Sequence, residues 1–171
     1  MYVRHTTVHT EQIADVIVVA SDSAVTGIYF PQHWTSPDWD SFGDEVAELG
    51  DAVLADAAAQ LREYLRGERT VFDFAIELHG NDFQQRVWAI LRDIPFGQTR
   101  TYGDIAEQLG DRSLARMVGH AVGHNPVSIV VSCHRVVGKN GGLTGYAGGL
   151  ERKAFLLALE EPAVVHTARL F

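Results

Sequence analysis

The hydrophobic period changes along this chain, and that change limits what it can fold into. Over residues 1–30 the apolar residues alternate or fall in β-branched runs: VRHTTVHT, ADVIVVAS and AVTGIYF, with polar breaks between them. Such runs favour strands, and their spacing predicts a three-stranded antiparallel meander. PQHWTSPDWDSFGDE follows as a loop, with Trp34 and Trp39 expected to pack down. From about Glu45 to Arg66 the period is helical. Val53, Leu54, Ala57, Leu61, Tyr64 and Leu65 share a stripe, Asp51, Asp56, Arg62 and Glu63 fall off it, and Gly67 suits a helix stop. TVFDFAIEL alternates again and predicts one more strand, before a boundary at Gly80 and Asn81. Asp82 to Ile94 predicts an amphipathic helix with Phe83, Val87, Trp88 and Leu91 inward, ended by Pro95 and Gly97. The remainder is mostly helical, including ERKAFLLALE. The fold class expected is α+β: a small N-terminal α/β domain over 1–80 with an antiparallel sheet, and a mainly helical domain over 81–171.

Composition narrows the function classes. No apolar run approaches the roughly 20 residues that span a bilayer, and MYVRHTTVHTEQ does not read as a signal peptide. One cysteine cannot close an internal disulfide, which points to a reducing, cytoplasmic setting. The net charge of −8 argues against a nucleic-acid partner, but its distribution is uneven. Residues 1–80 carry 4 Lys+Arg against 14 Asp+Glu, a balance of −10; residues 81–171 carry 10 against 8, a balance of +2. The excess of +2 is well short of a strong DNA binder's basic footprint.

Two regions of the second half carry chemistry. In TYGDIAEQLGDRSLARMVGHAVGHN, Thr101 is a good N-cap and Asp104 favours a helix N-terminus. Gly110 closes that helix and Asp111 or Ser113 caps the next. Two short helices joined by a tight glycine turn make the helix-turn-helix pattern. Ala115, Gly119 and Gly123 form a stripe of very small residues near Arg112 and Arg116. On pattern alone, two packed helices are the simpler account. The functional account lays the smooth face in a DNA groove. His120 and His124 are spaced as metal ligands on a helix, but neither they nor His5 and His9 have a third ligand nearby. No metal and no cofactor is expected.

The second region holds the only thiol, Cys133, at the end of the apolar run VSIVVS. A lone cysteine is ordinarily a small buried hydrophobe. Its place before His134, Arg135 and a glycine-rich loop predicts instead a half-exposed nucleophile at a strand end, its pKa lowered by a nearby cation or helix N-terminus. His134 supplies proton traffic through a water, and Glu160 is the candidate carboxylate that orients it. GKNGGLTGYAGG lacks the order of a phosphate cradle; its glycines bring backbone groups close to a flat ligand or simply form a surface loop.

NPVSIVVSCHRVVGKNGGLTGYAGGLERK, preceded by DFQQRVWAILRDIPFGQTRTYGDIAEQLG, resembles the O6-alkylguanine-DNA alkyltransferases over residues 70 to 160. The resemblance implies a ribonuclease H-like N-terminal domain, a helix-turn-helix, and irreversible transfer of an alkyl group from O6-alkylguanine, or O4-alkylthymine, to Cys133. Double-stranded DNA is then the partner, with no membrane and no obligate protein partner. His134 becomes the water-linked base, Glu160 its orienting carboxylate, and Asn125 the holder of the turn. Tyr102 donates a proton to guanine and presses on the rotating phosphate. Arg116 fills the space of the extruded base, and Ala115, Gly119, Arg112 and Arg135 join it at the DNA. Val136, Tyr146, Ala147, Gly148, Lys153, Trp88 and Ser128 surround the substrate. Ser132 stands where the family has proline before the cysteine, and Ser128 where it commonly has another. Both exchanges loosen the segment or make the alkyl pocket more polar. A lesion-binding module without efficient transfer and a thiol hydrolase are the alternatives.

Overall fold

The computed structural model describes residues 1–162. Its N-terminal half is a mixed four-stranded sheet covered by one helix. Strands β1 (Val3–Thr10), β2 (Ala14–Ser21) and β3 (Ala24–Tyr29) form the expected antiparallel meander, with Val3 opposite Ser21 and Thr10 opposite Ala14. Ala14 and Asp22 take positive φ angles of 63° and 52° at the two tight turns. A short strand β4 (Asp44–Glu45) runs parallel to β1, so the order is β3-β2-β1-β4. The further strand expected in TVFDFAIEL does not form. It makes one bridge, Ile76 to Val25, with the Val25 N–H donating to the Ala75 carbonyl and the Glu77 N–H to the Val25 carbonyl, each at 2.9 Å. Further along β3, Ile28 pairs with Val127 instead, so two segments share this edge and neither extends along it.

Helix α1 (Ala52–Leu65) starts later than its hydrophobic stripe suggests. Asp44 and Glu45 pair with β1, Glu48–Gly50 forms a 3-10 turn, and Asp51 is the N-cap that accepts from the Leu54 N–H at 3.0 Å. Asp51 also takes a two-pronged contact from Arg4 on β1, at 2.6 and 3.0 Å. Leu54, Ala57, Leu61 and Leu65 are buried with Val8, Val16, Val18 and Ile28 of the sheet. Each fully buried Leu, Ile or Val contributes roughly 1.5–3 kcal/mol.

The second half adds α2 (Asp82–Arg92), α3 (Tyr102–Gln108), α4 (Ala115–Gly123) and α5 (Leu150–Glu160). Reciprocal capping boxes start α2 (Asn81 with Gln84) and α3 (Thr101 with Asp104). A 3-10 turn, Arg112–Leu114, leads into α4. A two-stranded parallel pair, β5 (Arg100–Thr101) and β6 (Val136–Val137), ties the entry of α3 to the segment after Cys133. The class is α+β, and one continuous hydrophobic core runs through both halves.

The tryptophans depart from expectation. Trp34 is 72% exposed, and Trp39 is 40% exposed with its ring edge against Phe42 and Tyr29. Among the described residues, no helix is long and apolar enough to cross a membrane, and no group of three or more His, Cys, Asp or Glu is placed to hold a metal.

Candidate active site around Cys133

The segment before Cys133 is a coil of tight turns, not the strand end its sequence suggests. Asn125 clasps it: the Asn125 Nδ2 donates to the Val131 carbonyl at 2.7 Å, and its Oδ1 accepts from the Val127 N–H at 3.0 Å. The Val130 N–H reaches the Ser128 carbonyl, Val131 reaches Val127, and Cys133 reaches Val131, at 2.8 to 3.0 Å. These bonds satisfy the backbone groups a ladder would otherwise pair. A short apolar run signals burial without specifying strand geometry. Ile129 holds a φ of 73°, rare for a β-branched side chain, a strain of about 1–3 kcal/mol that the surrounding turns impose. The Ser132 hydroxyl donates to the Leu91 carbonyl of α2 at 2.7 Å, a tether that proline could not make. Cys133–Arg135 then forms a single 3-10 turn.

Cys133 is 4% exposed rather than half exposed. Burial raises its pKa, reversing the expected lowering. A hydrogen bond from Asn125, the charge of Lys153, and the backbone N–H groups of Cys133 and His134 oppose that rise without overcoming it. The resting group is therefore a thiol, and a base must take its proton. His134 is fully buried, with Nε2 placed 2.9 Å from Glu160 Oε2 and Nδ1 without a hydrogen-bond partner. Burial lowers the His134 pKa, partly offset by Glu160. A neutral ring facing a carboxylate carries its proton on Nε2, which leaves the Nδ1 lone pair free to accept one.

Glu160, the last residue of α5, is where both halves of the chain meet. Burial alone would raise its carboxyl, but donors from His134, Arg135 and Tyr64 outweigh it and hold the pKa at about 2. Arg135 donates Nε to Oε1 at 2.8 Å and Nη2 to Oε2 at 2.9 Å, and its Nη1 reaches the Ile94 carbonyl at 2.6 Å. Arg135 is thus turned inward and spent on this carboxylate, against the expectation that it meets DNA. Tyr64 of α1 donates its hydroxyl to Oε2 across 96 positions of sequence. Nothing in the sequence marked Tyr64 as more than a core residue on a helical stripe, since its partner lies in the other half.

The remaining site residues are placed unevenly. Lys153 is fully buried, its Nζ donating to the carbonyls of Val136 at 2.6 Å and Thr144 at 3.2 Å; burial lowers its pKa and Cys133 opposes that. Tyr146 and Ser128 are buried with hydroxyls that find no protein partner. Burial, followed by charge at Cys133, raises the Tyr146 pKa well above its usual value. Val136 and Ala147 are buried, and Gly148 sits so close to Phe30 that a Cβ would fall 2.5 Å from its ring. Tyr102 accepts from the Thr144 hydroxyl at 2.9 Å, and a Cβ on Gly119 would lie 3.7 Å from its ring. Arg116 is exposed on α4, Ala115 is half-buried, and Arg112 is exposed and paired with Glu107 at 2.8 Å. Trp88 is 1% exposed and donates its indole N–H to the Ala121 carbonyl at 2.9 Å, so it packs α2 on α4 rather than lining the site.

Four likenesses accompany this geometry. Residues 82–162 match the model of the 6-O-methylguanine DNA methyltransferase, DNA binding domain. A methylated-DNA–protein-cysteine methyltransferase from Mycolicibacterium paratuberculosis is 58% identical over 108 residues, an alignment spanning 63% of this chain and 66% of that protein. The constitutive one from Bacillus subtilis is 40% identical over 91% of this chain and 94% of its own. The crystal structure of Mycobacterium tuberculosis OGT in complex with DNA superposes with a TM-score of 0.83 at 41% identity, covering 95% of this chain and 97% of that one.

Proposed function

The chain belongs to the methylated-DNA–protein-cysteine methyltransferase family, and from that premise we propose that it repairs DNA by moving an alkyl group from O6 of guanine onto Cys133. One observation carries the reading: a lone buried thiol is followed by a neutral histidine whose far nitrogen is locked to an ionised carboxylate.

His134 takes the thiol proton through a water at Nδ1, and Glu160 stabilises the imidazolium that results. The sulfur then attacks the alkyl carbon. A carbon–sulfur bond forms, the carbon–O6 bond breaks, and the electron pair leaves with guanine. Tyr102 protonates the departing base and recovers a proton from solvent. A thioether is a poor leaving group, so each molecule acts once. Carbonyls of Cys133 and Val136 receive the guanine amino group, and the Ala147 N–H reaches O6. Lys153, Tyr146, Gly148 and Ser128 complete the pocket.

A sulfur that is 4% exposed cannot reach a base inside its stack, so the nucleotide must swing out, at a cost of a few kcal/mol. α3, the turn at Arg112–Leu114 and α4 are read as a helix-turn-helix. Its second helix sets Ala115 and Gly119 in the minor groove, with Arg116 in the vacated stack and Arg112 at the backbone. Repair independent of sequence is served by such contacts rather than by reading base edges. The sheet, three antiparallel strands with a fourth parallel to β1, agrees with a ribonuclease H-like N-terminal domain over 1–80. Residues 81–171 form the catalytic and DNA-binding domain, of which 163–171 lie outside the described residues. The setting is the cytoplasm.

Incubating the protein with a duplex bearing O6-methylguanine and weighing it intact tests the reading. One added methyl located at Cys133 is the expected result. Binding without a mass change makes the chain a lesion-binding module, and repeated turnover makes it a hydrolase.

A further inference from the structure

Trp34 is a large aromatic side chain that the reaction leaves unused. It is 72% exposed, yet its loop is firmly held. The His33 N–H donates to the Phe30 carbonyl at 3.0 Å, the Trp34 N–H to the Ala147 carbonyl at 2.9 Å, and the Ser36 N–H to the His33 carbonyl at 3.0 Å. Beneath it the buried His33 ring stacks on Phe30 at 5.9 Å and accepts the Phe30 N–H on Nδ1. A fixed backbone therefore presents the indole to water.

Its position is informative. A Cβ on Gly123, in the last turn of α4, would lie 3.3 Å from Trp34 Cζ3. One turn earlier, Gly119 lies against the ring of Tyr102. Two aromatic rings from outside α4 thus meet its two glycines, and the exposed indole continues a face that also carries Arg116. The Ala147 contact sets the same loop beside the thiol pocket. An indole kept exposed on a rigid loop gains no burial in the free protein, and tryptophan is enriched where surfaces bind.

We propose that Trp34 is a DNA contact supplied by the otherwise acidic N-terminal half, its indole packing against the duplex where the C-terminal end of α4 meets it. The proposal rests on the reading that α4 docks on DNA. Duplex DNA is favoured over a second copy of the chain because the ring continues the face that bears Arg116 and Tyr102. It also lies on the side of the molecule where Ala147 closes the pocket.

Trp34→Ala and Trp34→Phe, compared with the unaltered protein, test it. The measurements are duplex affinity by anisotropy and the rates of alkyl transfer from an O6-methylguanine duplex and from free O6-benzylguanine. Trp34→Ala should weaken duplex binding roughly five- to tenfold, in line with aromatic contacts to nucleic acid. It should lower the ratio of duplex to free-base rate by a similar factor, with Trp34→Phe in between. Indole emission should be quenched when the unaltered protein binds DNA, and that quenching should be lost in Trp34→Ala. Unchanged duplex affinity overturns the proposal. So do equal losses on both substrates, which would make the loop a support for Ala147. Loss only of steepness in the binding curve at high protein concentration would assign the ring to a second copy and also overturn it. If the unaltered protein takes no methyl from duplex, the repair reading itself falls; if it does while the variants match it, only the role of Trp34 falls.

Discussion

The two halves of the molecule solve opposite problems. In the first, backbone groups are paired in long register, the positive φ angles of Ala14 and Asp22 fall at hairpin turns, and the one arginine of the sheet, the buried Arg4, meets its counter-charge Asp51 at the start of α1. Around Cys133 little is regular. A β-branched residue sits at positive φ, Tyr146, Ser128 and His134 keep polar atoms without partners, and Lys153, Arg135 and Glu160 are charged groups placed inside. Unpaired atoms and strain are costly, and they persist where surrounding structure holds them. The sheet and α1 are part of that surrounding structure, since Tyr64 reaches from one half into the other.

Four substitutions test the contrast. Glu160→Gln should have the largest effect. It leaves the Arg135 guanidinium buried without its counter-charge, a loss of about 3–5 kcal/mol, and slows alkyl transfer by roughly 10²-fold or more, with DNA affinity nearly kept. Thermal melting and stopped-flow alkylation by benzylguanine measure the two. The same substitution removes a pH dependence. The folded Glu160 pKa, at about 2, lies below its ordinary value of 4.5, so its stabilisation is complete above pH 4.5 and fades as pH falls toward 2. Melting of the unaltered protein should show this acid-side decline, and Glu160→Gln should lack that component.

Arg116→Ala comes next. It should slow repair of duplex by roughly 10-fold or more while sparing reaction with free benzylguanine, on the scale of one lost desolvated contact. Equal losses would remove Arg116 from the vacated stack. Tyr64→Phe is the sharpest probe of dependence between the halves. It removes one donor from Oε2 at a cost of about 0.5–1.5 kcal/mol. The carboxyl pKa rises, and the pH–rate profile of thiol alkylation should shift; a profile that keeps its shape and moves only in stability would make Tyr64 structural alone. Asp51→Asn should have the smallest effect on transfer. It keeps the α1 N-cap, because asparagine caps as well as aspartate, but leaves the buried Arg4 without its counter-charge, costing about 3 kcal/mol in melting, with benzylguanine rates within twofold.

The legibility of the chain followed the same division. The meander, α1, α2, α3 and α5 were readable because local period, and a capping residue such as Thr101 at the start of α3, report local geometry. Cys133, His134 and Glu160 were readable through a family resemblance and the chemistry of their side chains. What was missed depends on distance in sequence. Tyr64 looked like one more core residue because its partner is 96 positions away. Arg135 looked solvent-facing because a charge beside a loop gives no sign of a buried counter-ion. The thiol looked half exposed because pattern does not distinguish an apolar coil from a strand end, and that error inverted its expected acidity. Trp34 looked like packing because an aromatic in a loop carries no mark of which way it faces.

The enclosure of the sulfur has one more consequence. A reagent that is spent in a single act has to keep intact until its lesion appears. Oxidants such as peroxide attack thiolates that they can touch. A protonated sulfur that is 4% exposed offers them no ionised target and little surface. Shelf life and reactivity then compete less, because ionisation waits for the base that the reaction itself engages.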